Sequence, residues 1–186
     1  MLCAGVLPGL DYEARTVKVQ PIESYPARTS LGAITIAADP YSTNKKSSTA
    51  FDIKDLNSRG YFPIHILIKN ESMSFFKIRA RDVILITAAG QHLYSTPTTV
   101  VVVDVFDSSS TRSNSPLSDF TDKDIANKTV DPGRITDGFL FFYNADRKKN
   151  IFEGGTLYIP KLEEEGTRKI IGPFSIPLDP ALTAPK

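Results

Sequence analysis

Two histidines, one cysteine and a close-set trio of aspartates have the clearest chemical reach in this 186-residue chain. His65 stands in the alternating run GYFPIHILIKNES, Gly60 to Ser72, and His92 follows the turn-forming stretch TAAGQ. A histidine beside a carboxylate and a hydroxyl can serve as a general base. His92 with Asp104 and one of the many serines therefore defines a hydrolase reading. His65 reads differently. It shares a strand face with Leu67 and Lys69, opposite Ile64, Ile66 and Ile68, so it fits a partly exposed strand position. In SDFTDKD, Asp119, Asp122 and Asp124 form an oxygen-rich group of the sort that hard cations favour. That would make the protein a calcium-stabilised, adhesin-like domain. Lys123 sits among the three, and the plainer reading is a solvated acidic loop.

Other chemistry finds no motif. One cysteine and two separated histidines supply no zinc ligand spacing. There is no G-x-S-x-G elbow and no glycine-rich phosphate loop, so no cofactor and no catalytic residue is expected. The chain has no tryptophan, and its eleven phenylalanines fall mostly within apolar runs, where core packing accounts for them. Tyr41, Tyr61 and Tyr94 stand beside turns and are the candidate partner-contact residues. Asn70-Glu71-Ser72 and Asn127-Lys128-Thr129 match the N-glycosylation pattern, which matters only in a eukaryotic secretory setting.

Charge excludes further classes. With 22 basic and 21 acidic residues the net charge is +1, so no global field draws the chain to nucleic acid or an anionic membrane. The tightest basic groups, Asn44 to Lys46 and Asp146 to Asn150, read as solvated turns. No run of about 18 apolar residues is present, so no membrane-spanning segment is expected. The first ten residues, MLCAGVLPGL, are apolar and uncharged, in the manner of a signal remnant. A lipid anchor on Cys3 is a further reading, although Leu2 occupies the position where a small residue is wanted. Extracytoplasmic residence is the leading expectation and a cytoplasmic one the alternative.

The elements that would position these residues are strands. AITIA (33–37) and IHILIK (64–69) alternate, as does TVKVQ (16–20). DVILIT (82–87), TTVVVVDVF (98–106) and GFLFFY (138–143) are β-branched or aromatic on both faces, as central strands are. GTLYIP (155–160) and RKIIGPFSIPL (168–178) follow the same logic, and SFFKIRA (74–80) suits an edge. Thirteen prolines and eleven glycines fall mostly between these runs. One short helix is expected within Ser42 to Leu56, capped by Ser42 or Thr43. The polar stretch Phe106 to Arg134 reads as a long irregular loop with one helical turn near 118–125. The predicted fold is all-β, an immunoglobulin-like antiparallel β-sandwich of eight or nine strands. It would span residues 13–178, between an apolar segment (1–12) and a proline-rich tail (179–186).

The order of segments carries a resemblance. GAITIAADPYSTNKKSSTAFDIKDLNSRGYFPIHILIKNES, Gly32 to Ser72, resembles a pattern of uncharacterised bacterial exported proteins. There a strand ending in A-x-x-P-Y leads to a short helix, and a G-x-x-P entry opens a strand ending in N-x-[ST]. DPGRITDGFLFFYN, Asp131 to Asn144, is similar to a turn-plus-strand of immunoglobulin-like domains in bacterial lipoproteins and secreted proteins. The resemblance implies a scaffold and export, and no catalytic residues. The function expected is a non-catalytic binding or structural module. It would contact another protein through a sheet edge or the 106–134 stretch.

Overall fold

Alternation along two long strands decides the architecture. The computed structural model describes residues 12–106, 115–147, 150–167 and 169–183. Strands β3 (Tyr61–Asn70) and β8 (Arg134–Tyr143) pair antiparallel along their whole length, with His65 opposite Phe139. Around them lie β1 (Arg28–Leu31), β2 (Ile34–Pro40), β5 (Ile84–Ile86), β6 (His92–Thr96), β9 (Thr156–Ile159) and β12 (Phe174–Pro177). These eight make one sheet, in the order β1-β2-β3-β8-β6-β5-β9-β12. A second sheet holds β4 (Phe76–Ile78), β7 (Thr129–Val130), β10 (Leu162–Glu164) and β11 (Ile170–Ile171), in the order β11-β10-β4-β7. Every strand pair is antiparallel.

The large sheet curls. Its two edges, β1 and β12, lie alongside each other without a hydrogen-bonded ladder, so the sheet is nearly closed. Ile36, Ile64, Ile66, Ile68, Leu140 and Phe142 point inward and are buried. The small sheet adds Phe76, Ile78, Val130 and Leu162 to the same core. The outer face is covered as well. Helices α1 (Asn44–Ala50), α2 (Thr98–Val105) and α3 (Ser115–Lys123) lie on it, burying Phe51, Val101 and Phe120 against Phe139 and Phe141. No helix among the described residues is long and apolar enough to cross a membrane.

Several expectations change here. The valine run 98–106 is the helix α2 and not a central strand. Thr98, Val101, Val102 and Val105 are its buried stripe, at helical spacing, while Val100 and Val103 face solvent. TVKVQ pairs with no strand; residues 12–20 form an extended strap in which Tyr12 and Val17 pack against the outer cluster. The 106–134 stretch contains α3, a 3-10 turn (Ile125–Asn127) and β7, with Phe120 and Ile125 fully buried; residues 107–114 lie outside the described ones. The tail does not trail as far as Thr183. Helix α4 (Asp179–Thr183) packs Ala181 and Leu182 on the inner core, and Asp179 accepts a bond from Gly154 N at 2.7 Å. The first basic group is the start of α1, where Lys46 pairs with Asp39 at 2.5 Å above the Tyr41 ring.

Turn chemistry reads as the sequence requires. Gly60 has φ 93°, and a Cβ there would meet Asn144 O at 2.7 Å. Gly133, in Asp131-Pro132-Gly133, has φ 67°. Pro63 lies inside β3, yet costs no ladder bond. Its carbonyl accepts from Tyr41 N, so its missing N–H faces the β2 side, just past the last paired residues, Pro40 and Ile64. Thr43 caps α1 by accepting from Lys46 N. Asn70 is fully buried: its Nδ2 donates to Ser74 O and Val130 O, and its Oδ1 accepts from Ser72.

Candidate functional site

β6 meets β8 at only two positions, Ser95 with Phe142 and Thr96 with Phe141. Pro97 then turns the chain into α2, and the strands part. On the far side of the gap Asp124 bridges β8 at Phe139. Gly138 allows this approach: a Cβ there would lie 2.7 Å from Ile125 N and 2.8 Å from Lys123 O. The space between is a cleft of about 370 Å³, over the backbone of Phe139 to Phe141. Its polar groups include Arg81 at the rim, Ser95, Thr96, Thr98, Thr99, Thr121, Asp124 and Asn127.

Asp124 is the fixed point of this cleft. Thr98 Oγ1 donates to its Oδ2 at 2.5 Å, and Ala126 N donates to its Oδ1 at 2.8 Å. Asn127 Nδ2 donates to Thr121 O at 3.2 Å, which leaves the Asn127 oxygen pointing elsewhere as an acceptor. Among the described residues no histidine, cysteine or lysine lines the space. The arrangement can hold a polar molecule by hydrogen bonds, but it offers no nucleophile beside a strong base.

A second polar feature lies across the sheet. His65 is 1% exposed, and its Nε2 is 2.7 Å from Asp137 Oδ2. Its ring stacks on Phe139 at 4.7 Å, with Tyr41 edge-on at 6.5 Å. The hydrogen bond to His65 holds the Asp137 carboxyl below the usual carboxylate range, against the opposing effect of its burial. Lys128 Nζ donates to the Asp137 carbonyl at 2.6 Å. His65 is buried while Asp137 keeps about a third of its side chain, 31%, exposed, and the pair braces β3 to β8. The partly exposed position expected for His65 is thereby corrected: the outer face that looked half-polar is covered.

A third group ties the strap to the helices. Tyr12 donates to Asp119 at 2.5 Å, and Lys123 Nζ donates to Asp119 at 2.6 Å and to Ala50 O at 2.7 Å. Burial pulls the Lys123 ammonium pKa down, with Asp119 opposing. Burial raises the Tyr12 phenol, and Asp119 adds to it.

The aspartate trio therefore diverges. Asp119 faces the buried strap contact, Asp122 is exposed, and Asp124 faces the cleft, so the three do not form one cation site. Among the described residues no group of carboxylate, histidine or cysteine ligands converges. His92 stands exposed at the start of β6 opposite Ile86, and among the described residues no side-chain hydrogen bond joins it to Asp104 or to a serine, the arrangement that the hydrolase reading requires. Tyr41 and Tyr61 are buried and not surface contacts; Tyr61 donates to Asp104 at 2.9 Å, and burial followed by that bond pushes its phenol up to about 12. Tyr94 is 61% exposed. Thr98 was hidden within a run read as strand, and its pairing with Asp124, 26 positions away, leaves no local signal.

Comparison with family models and with curated proteins found no match. Among solved structures, a functionally unknown protein from Listeria monocytogenes EGD-e is similar at 12% identity and a TM-score of 0.37, covering 72% of this chain and 70% of that one.

Proposed function

We propose that this protein is a non-catalytic binding module whose β6–β8 cleft takes a small, uncharged ligand bearing hydroxyl or amide groups. The observation that carries the reading is Asp124. Thr98 and Ala126 hold its carboxylate in place, yet it borders open space ringed by further hydrogen-bonding groups. Each of its oxygens keeps a lone pair for a ligand donor. An apolar floor with a few oriented polar groups is the usual composition of a small-molecule site. Two of its walls, α3 and the turn after it, belong to the 106–134 stretch.

Within the antiparallel class, an immunoglobulin-like sandwich divides its strands between two facing sheets. The adjoining edges of the eight-stranded sheet favour a barrel-type scaffold instead. Export belongs to the proposal through the resemblance described above, and fractionation of the source cells checks it.

Saturation-transfer NMR against a set of monosaccharides, polyols and small amides tests the binding reading. At least one probe binds the wild-type chain and loses binding in Thr99→Trp. Thr99 is an exposed lining residue, so the indole fills the cleft without removing the bonds that hold Asp124. Unchanged binding to that variant, or no binding by any probe, overturns the reading.

A further inference from the structure

The strap at residues 12–20 is bound to the rest of the protein the way a peptide ligand is bound. Among the described residues no backbone-to-backbone hydrogen bond joins it to any other segment. Side chains hold it instead. The Tyr12 ring packs edge-on against Phe106 at 5.4 Å and near Phe120 at 6.4 Å, and its hydroxyl reaches the buried Asp119–Lys123 pair. Three residues on, Arg15 meets Asp52 at 2.6 Å, and the same carboxylate accepts from Glu13 N at 3.2 Å. Two further on, Val17 is half-buried against the outer cluster. The middle does not fit flush: a gap of about 300 Å³ remains between Thr16, Val17 and Lys18 on one side and Tyr41 and Thr49 on the other.

We infer that this surface is a groove for an extended peptide segment, and that the chain's own residues 12–17 occupy it in cis as a displaceable cover. The pattern recognised is a tyrosine, an arginine three residues later and an apolar residue two after that. Each position has its own receptor: an aromatic pocket floored by a carboxylate–ammonium pair, the Asp52 carboxylate, and the apolar margin of the helix layer. An aromatic anchor in a buried pocket and an arginine on a carboxylate are the contacts that dominate peptide and protein recognition. A tethered occupant competes at an effective concentration of about millimolar, so a partner segment binds measurably only when the strap is weakened or the partner fits better.

The test uses the full chain and a fluorescein-labelled peptide with the sequence of residues 12–20. Arg15→Ala/Val17→Ala weakens the strap without touching the buried Tyr12–Asp119–Lys123 contacts, and Tyr12→Ala is the second variant. Both should keep the wild-type circular dichroism spectrum. By fluorescence anisotropy they should bind the peptide about tenfold or more tightly than the wild type does. The same peptide carrying Tyr12→Ala should not bind. Absence of binding to both folded variants overturns the inference, as does equal binding of the Tyr12→Ala peptide. Dimerisation of the variants on a sizing column without peptide capture also overturns it, since the groove would then serve exchange between copies.

Discussion

At the scale of single residues, the most informative is His65. Alternation placed it correctly on the face opposite the isoleucines, but alternation reports only which face a side chain takes, not what covers that face. Tyr41, which packs edge-on against its ring, lies 24 positions away in sequence, so no local pattern could reveal that His65 is sealed. Its partner Asp137 sits diagonally across the β3–β8 ladder, a contact that depends on register. A carboxyl held below its unfolded value of about 3.9 contributes stability that is present above that value and is lost as pH falls through the folded one. Asp137→Asn should therefore lower stability by about 1.5–3 kcal/mol at pH 7, the range for a hydrogen bond to a charged group. In thermal melts the gap from wild type should narrow below about pH 4. A gap that stays constant with pH would assign the pair a purely packing role.

At the scale of elements, the far wall of the cleft between β6 and β8 depends on one missing side chain. Gly138 lets the turn after α3 come down on β8, and that turn sets Asp124. The clash from an added Cβ is with backbone atoms of Lys123 and Ile125, which cannot rotate aside. Gly138→Ala should cost about 1–3 kcal/mol by denaturant titration. It should also shift the Thr98 and Asp124 amide resonances, whereas an unperturbed spectrum would show that the turn has slack. In the sequence Gly138 merely began an apolar run. Helix α2 was illegible for a related reason: four consecutive valines carry strand propensity and mask the helical stripe that only tertiary packing selects. By contrast, Pro40, Gly60 and Gly133 marked their boundaries correctly, and of the two expected caps, Ser42 and Thr43, it is Thr43 that serves, because turn and cap chemistry is local.

At the scale of the whole molecule, β3 is buried on both faces and paired on both edges, and β8 is buried from Gly138 to Phe142, while β1 and β12 close the sheet without a ladder. β2 and β3 were readable from period-two runs and β5, β8 and β9 from apolar ones, while TVKVQ alternates without pairing; the curling of eight strands into one sheet was not readable, since closure depends on how the edges meet. Stability should be distributed accordingly. Native-state hydrogen exchange should find the slowest amides in β3 and β8, and much faster ones in β1, β12 and α4. Uniform protection across all of these would mean that the two edges open only with global unfolding.

Asn70 has a consequence for making the protein. It lies in one of two glycan acceptor patterns, but both of its amide hydrogens are engaged within the fold and the side chain is wholly enclosed. Asn127, in the other, is exposed beside the cleft. In a eukaryotic secretory host the transferase reaches the chain before it folds, so a sugar tree on Asn70 would block the native state and one on Asn127 would screen the cleft. A bacterial host, or an Asn127→Gln chain with Ser72 replaced by alanine, avoids both outcomes.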